Sequence, residues 1–417
     1  MKKVFNSLYY SACWIVLLPF LLLMSICARL FRIVRKSRKP RLLWAGAPMP
    51  SLMTASTAMV NAGYDSISIV NQLTSNNNPK QFDVMLLSKK RVMKGLNTPL
   101  YLTRTALSFT QSMFQRDILH SFFTGGILGN TPLIKIEPFL WKLSGGKHIV
   151  FPYGQDGFIY SSLPDMPWAK ALKTTYPRTN KQDLVYAKRV KKLSKTADCV
   201  IGCMVHTACL PRIDVWPTLW YPAPKIDIKT NKKINDSNAL KIAHPTNHRD
   251  IKGTDSLIQA VEDLKAEGLN ISLDIIEGVD INTSRSRMKQ ADIVVDQLLM
   301  GYAMTALEGM ALGKIVISGF DNNALYKPFY ENSYLSECPI LRASPATIKD
   351  ILKQLYENPQ HHDAIKAATK IYCETYHSED ACVTLFETVY EAIETRNYGM
   401  LAKLYLQPDG TQLHKKS

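Results

Sequence analysis

Short apolar runs alternate along this chain with stretches whose apolar residues recur at helical spacing, and Gly, Pro or Asn punctuate the junctions. Residues 41–47 (RLLWAGA) read as a strand ending in a Gly turn, 51–62 as a helix closed by Gly63, and 64–70 (YDSISIV) as the next strand. Residues 148–157 (HIVFPYGQDG) and 240–247 (LKIAHPTN) each read as a strand and loop. A helix capped by Thr254 is expected over 254–267, and a strand over 271–279 (ISLDIIEGV). ADIVVDQ at 291–297 reads as a buried strand, 298–303 as a loop turning at Gly301, 304–312 as a helix closed by Gly313, and 314–318 as a strand. Residues 345–358, capped by Ser344 with Pro345 in the opening position, and 363–396 carry helical periodicity. Such alternation predicts an α/β protein with doubly wound parallel sheets.

A chain of 417 residues exceeds what one core holds, so two domains and an appendage are expected. The polar, turn-rich NKKINDS at 231–237 is the clearest boundary. The expected units are 1–40, a membrane anchor with a basic flank; 41–228 and 229–385, two Rossmann-like domains; and 386–417, the end of a crossing helix and a polar tail.

Charge changes the picture at the N-terminus. Residues 8–28 contain no charged side chain and are long enough as a helix to cross about 30 Å of hydrocarbon. Arg29, Arg32, Arg35, Lys36, Arg38, Lys39 and Arg41 follow, whereas only Lys2 and Lys3 precede, which places the globular part on the cytoplasmic face. No small-x-small cleavage site is present, and Ile26 before Cys27 spoils a lipoprotein box. Pro19 kinks the run, so a re-entrant hairpin with both ends cytoplasmic competes with a spanning anchor. Part of the formal charge of +16 is this local cluster, which suits an anionic membrane surface; no nucleic-acid motif accompanies it. The basic helix at 181–195 is a solvated face or a second membrane contact.

Eight cysteines are scattered through the chain, as in a reduced compartment. Cys199, Cys203, His206 and Cys209 have metal-like spacing, but CVIGCMV at 199–205 reads as an apolar strand that sends its ligands to opposite sides. No metal is expected. The chemistry is sought instead at 291–318. A strand, a loop and a helix in that order aim unpaired backbone N–H groups and the positive end of a helix dipole at one point, a seat for phosphate. Glu308, one turn into the helix, leans back toward the same point as an acceptor for hydroxyls.

This stretch resembles the donor-site signature of retaining glycosyltransferases of the GT-B fold. In that signature an acidic residue, a Gly-aromatic-Gly loop and a second Glu eight positions after the first precede A-M-A-x-G-x-P-V. Glu308, Gly301, Tyr302, Met310, Ala311, Gly313, Val316 and Ile317 stand where the pattern wants them. Met300 replaces the first acid, Ala303 the second loop glycine, and Lys314 and Ile315 the x-Pro pair. Residues 244–254 are similar to the family's H-x-P-x-N-R-x-x-K-G-T segment, with Arg249 and Lys252 as cations suited to a diphosphate. Asp117, Ile118, Leu119 and His120 resemble its D-[IV]-[IV]-H-x-H strand end, with Phe122 where the second His is usual. Residues 148–157 resemble its H-x-x-G-S-D segment, 216–227 (WPTLWYPAPKID) its interdomain crossing, and 371–380 the turn before its return helix.

The resemblance implies a GT-B fold, two Rossmann-like domains facing a cleft, similar to family-4 enzymes. It implies a sugar moved from a nucleotide-diphosphate sugar to a saccharide or lipid-linked acceptor of cell-surface polysaccharide or glycolipid, with no cofactor, at a bacterial inner membrane. The implied catalytic candidates are Asp156, His120 and Lys252. Asp156 competes with a turn-forming role and His120 with a packed one. Arg249, Lys252, Gly253, Glu277, Gly301, Tyr302, Ala303, Met304, Thr305 and Glu308 are the implied donor contacts. Two other readings stand: a catalytically silent scaffold of an assembly complex, suggested by Met300 and Phe122, and a sugar-nucleotide isomerase, which needs no membrane anchor.

Overall fold

The computed structural model describes residues 11–35, 39–72, 81–87, 97–226, 239–320, 325–402 and 404–405. The boundary expected at 231–237 and the tail from 406 lie outside them.

The first sheet contains β1 (Leu42–Gly46), β2 (Ser66–Val70), β3 (Val84–Met85), β4 (Ile118–Phe122), β5 (Lys147–Phe151) and β6 (Cys199–Val200), all parallel, in the order β3-β2-β1-β4-β5-β6. The chain winds outward from β1 and then returns to lay β4 on its other side, so a topological switch point falls between β1 and β4. Helices cover both faces, which is why LLWAG and ILHSF are buried throughout and read as continuous apolar runs.

The second sheet contains β7 (Leu240–Pro245), β8 (Ile271–Ile276), β9 (Ile293–Val295), β10 (Ile315–Ser318) and β11 (Leu341–Arg342), also parallel, in the order β11-β10-β9-β7-β8. Its switch point lies between β7 and β9. The strand, loop and helix read from 291–318 are present as β9, a loop at 296–303, and the Met304–Ala311 helix.

The return helix, Glu379–Thr395, starts with the Ser378 hydroxyl accepting Ala381 N–H at 3.1 Å. It packs Cys382, Leu385, Phe386, Val389 and Ile393 into the first sheet's core, against Trp44, Leu52 and Met59. The crossing is complete by Glu379, since Cys382 and Leu385 already belong to that core.

Three local expectations are corrected. CVIGCMV is a strand only at Cys199–Val200 and becomes a short 3-10 turn at Met204–His206. Thr254 does not cap its helix; its buried hydroxyl lies 2.9 Å from His244 Nε2, a partner that a buried imidazole needs. Ser344 and Pro345 precede a helix that begins at Ile348, because Ser344 N–H donates to Thr347 Oγ1 at 2.9 Å in a turn of its own.

Near the N-terminus, the Cys13–Val34 segment is the one helix among the described residues long and apolar enough to cross a membrane. One face is docked. Leu21, Ser25 and Ala28 are fully buried in a cluster with Phe109, Met113 and Trp141.

Candidate active site at the edge of the second sheet

β7 and β9 end side by side at their switch point, and the site is built on those two ends. After Pro245 the chain enters a single helical turn, Arg249–Lys252, closed by Gly253 at φ +70°. Glycine suits this left-handed position, and a Cβ there would also come within 3.1 Å of Leu298. The turn folds Lys252 back over the strand ends. Its Nζ donates to Pro245 O at 2.9 Å, Asp296 Oδ1 at 3.1 Å and Thr305 Oγ1 at 3.1 Å. An ammonium has three donors, so Lys252 is saturated by protein partners. Asp296 is fully buried, and its Oδ2 accepts Ala303 N–H at 2.7 Å. One carboxylate thus ties the Lys252 turn to the start of the Met304–Ala311 helix.

Gly301 turns the loop at φ +56°, donates to Gly319 O at 2.7 Å, and sits so close to the first unit that a Cβ would lie 2.4 Å from Met204 Cε. Tyr302 then points inward. Its hydroxyl meets Thr218 Oγ1, Tyr372 OH at 3.2 Å and His377 Nε2 at 3.1 Å. Tyr302 therefore joins the two halves through a buried network and does not line the cleft. Ala303, Met304 and Thr305 are half-buried. The helix they open has no side-chain cap, so its first-turn N–H groups lack partners within the helix and carry the positive end of its dipole.

Glu308 is buried one turn further in. Arg285, from the Ile281–Lys289 helix, donates to its Oε1 from Nε at 3.0 Å and Nη2 at 2.8 Å. Burial pushes the Glu308 carboxyl up, against the pull of Arg285 and, more weakly, Lys252. Arg249 and Glu277 form an exposed pair at 2.9 Å. Lys252 with Asp296, Arg285 with Glu308 and Arg249 with Glu277 make three matched cation–carboxylate pairs. Of the three cations, Arg249 is the one whose pair is exposed.

The first sheet holds the other two catalytic candidates apart from this cluster. His120 is fully buried, stacked on Trp44 at 3.9 Å, with Nδ1 3.2 Å from Leu43 O and Nε2 2.9 Å from Tyr390 OH. Burial lowers its pKa to about 3, so it is a neutral core histidine. Phe122 is likewise buried, edge-on to Tyr153 at 4.7 Å. Asp156 is fully buried and accepts N–H bonds from Tyr153, Gly154 and Phe123, each at 3.0 Å, knitting the loops after β4 and β5. Burial raises it to about 7 despite those three donors. Met300 sits against an apolar cluster that includes Phe158, Trp168 and Ile251.

Sequence reasoning missed Asp296, Arg285 and Glu137. Asp296 was legible in principle as the acid closing a buried strand. Arg285 was not, because it comes from a separate helix with no fixed spacing to Glu308. Glu137 is buried and accepts Gly126 N–H and Leu128 N–H, each at 2.8 Å, so it shapes the loop after β4 at the first switch point. The four-residue set Cys199, Cys203, His206 and Cys209 does not converge. Burial raises Cys203 to about 12 and Cys209 to about 11, and His206 Nε2 is 2.7 Å from Gly154 O. Among the described residues no group of three His, Cys, Asp or Glu side chains is arranged to hold a metal.

No family model and no curated protein matches the chain. Solved structures do. A glycosyltransferase from Rickettsia africae shares 13% identity, covers 87% of this chain and 100% of its own, and superposes with a TM-score of 0.53. HepE from Anabaena, solved with UDP and glucose, shares 12% identity over 86% of this chain and 100% of its own, with a TM-score of 0.52. The chain has the GT-B fold.

Proposed function

We propose that this chain transfers a sugar from a nucleotide-diphosphate sugar to a saccharide or lipid-linked acceptor at a membrane, with retention of configuration. The carrying observation is that the uncapped Met304 helix, with Thr305 held by Lys252 and Glu308 buried one turn in, opens at the second sheet's switch point, with Arg249 on the turn that follows β7. In open α/β sheets ligands bind outside the carboxyl ends of the strands at such points. The diphosphate sits on the N–H groups of Met304 and Thr305, with Arg249 swung from Glu277 onto it, and Glu308 takes the ribose hydroxyls. Charge developing on the leaving diphosphate is met by fixed dipoles and a guanidinium. Lys252 acts from behind, holding Thr305 and Asp296 in place. The acceptor enters from the first sheet, past the loop that Glu137 shapes.

UDP, present in the HepE structure, is the first nucleotide to test, with GDP beside it. Binding to the folded chain raises its thermal midpoint by mass action. A rise with one nucleotide, lost in Glu308→Gln and reduced in Arg249→Ala, supports the site. No rise with either at millimolar concentration removes it. One observation favours a second reading: Met300 and Phe122 fill with apolar packing two positions where the resembled family carries polar groups. A scaffold that binds nucleotide without turnover would leave Glu308→Gln harmless to assembly.

A further inference from the structure

We propose that the N-terminal apolar helix does not cross the bilayer but lies in the plane of an anionic membrane surface, clamped to the first domain along its length. This inference stands apart from the transfer reaction and rests on its own residues. The Leu18–Val34 helix is about 26 Å long at 1.5 Å per residue. Leu21, Ser25, Ala28 and Arg32 form one stripe at helical spacing, and that stripe is occupied by protein. The first three are fully buried, and Ser25 Oγ contacts Met113 Sδ at 3.2 Å. Arg32 closes the clamp. Its Nη1 donates to Asp117 Oδ1 at 3.1 Å and its Nη2 to Met113 O at 2.8 Å and to Arg116 O. Asp117 is held in turn by Arg41 Nε at 3.1 Å, at the entrance to β1.

A helix fastened in this way can stand across a bilayer only by drawing its neighbour in or by letting go of it. The neighbour is the Asn97–Gln115 helix, which exposes Arg104, Gln111 and Gln115. Placing those groups in hydrocarbon is costly. Letting go forfeits the burial of Leu21 and Ala28 and opens the Arg32–Asp117 pair. The opposite face tells what does cover it. Phe20, Leu23, Ile26, Leu30 and Ile33 are exposed, Leu30 to 60% and Ile33 to 73%. Arg29 is exposed beside them, and Lys36, Arg38 and Lys39 follow in the chain. An apolar stripe with a basic border fits the boundary between acyl chains and anionic headgroups.

The test uses the full-length protein with an N-terminal epitope tag, reconstituted from detergent into phosphatidylcholine vesicles with and without phosphatidylglycerol. Protease is then added to the intact vesicles. An in-plane helix keeps tag and domain on one side, so inward-facing molecules survive at full length. A spanning helix exposes either tag or domain on every molecule, and no full-length chain survives, which overturns the proposal. Flotation gives the second readout. Omitting phosphatidylglycerol weakens vesicle binding about tenfold, and Leu23→Asp with Leu30→Asp weakens it more than tenfold at an unchanged thermal midpoint in detergent. A soluble dimer that ignores vesicles and dissociates on the same substitutions would mean that a second copy covers the stripe, and would equally overturn it.

Discussion

Arg285 grips Glu308 by a single carboxylate oxygen, Oε1, with both Nε and Nη2, so in the proposed complex Oε2 is the oxygen left to meet a ribose hydroxyl. The pairing sets the orientation and the ionisation of a carboxyl that burial alone would protonate more easily. Arg285→Ala is therefore expected to weaken nucleotide binding about ten- to a hundredfold, consistent with the loss of one charged hydrogen bond of roughly 1.5–3 kcal/mol. Arg285→Lys restores little, since an ammonium lacks the guanidinium fork. Isothermal titration with UDP and GDP checks both variants, and unchanged affinity in Arg285→Ala would sever Arg285 from the site.

Lys252 is a strut. Lys252→Ala leaves Asp296 buried and unpaired, which is expected to cost about 3–5 kcal/mol. Adding Asp296→Asn removes the stranded charge and recovers part of that loss. Urea denaturation of the two variants measures it; a Lys252→Ala protein as stable as the parent would return Lys252 to the role of a free phosphate ligand.

Gly301 limits how closely the halves meet. Gly301→Ala places a Cβ against Met204 at a backbone φ of +56°, and is expected to destabilise by about 1–3 kcal/mol. Met204→Ala in the same chain relieves the clash but not the φ strain, so the two changes are non-additive. Thermal midpoints of the single and double variants decide it.

Acid weakens the fold through its histidines. Burial lowers His120 and His377 to about 3, and His148, His206 and His244 to about 4. In the unfolded chain these groups take protons below about 6.5, so between there and about 4 the unfolded state binds more protons and stability falls with pH. Asp156 and Glu137, raised to about 7, act oppositely: the folded state holds their protons longer, which favours folding as pH falls from about 7 toward 4. Five histidines outweigh two carboxyls. The thermal midpoint is expected to drop steadily from pH 6.5 to pH 5, and His244→Gln, which cannot take a proton, flattens that slope. A flat or rising midpoint over that interval would contradict the assignment.

How far the chain could be read before folding depended on the range of each interaction. The alternation of buried strands and helices, the loop at Gly301 and the Met304 helix are local consequences of periodicity and turn chemistry, and they were legible from residues close in sequence. Glu308 belongs with them, since its position one turn into a helix follows from the helix itself. The partners that define its chemistry were not legible: Arg285 to Glu308, Lys252 to Asp296 and Thr305, and Tyr302 to Thr218 and His377 join separate elements, with no sequence spacing to announce them. The same limit explains His120, inside β4, and Asp156, in the loop after β5. Whether such a residue reaches a cleft or satisfies the core depends on what packs above it, here Tyr390 from the return helix and the N–H groups of Phe123, Tyr153 and Gly154. At the N-terminus, composition marked residues 8–28 as apolar enough for a membrane segment, and only tertiary contact shows which face of the described helix is docked on the first domain. A stripe of Leu21, Ser25, Ala28 and Arg32 is silent about orientation until Met113 and Asp117 are found against it.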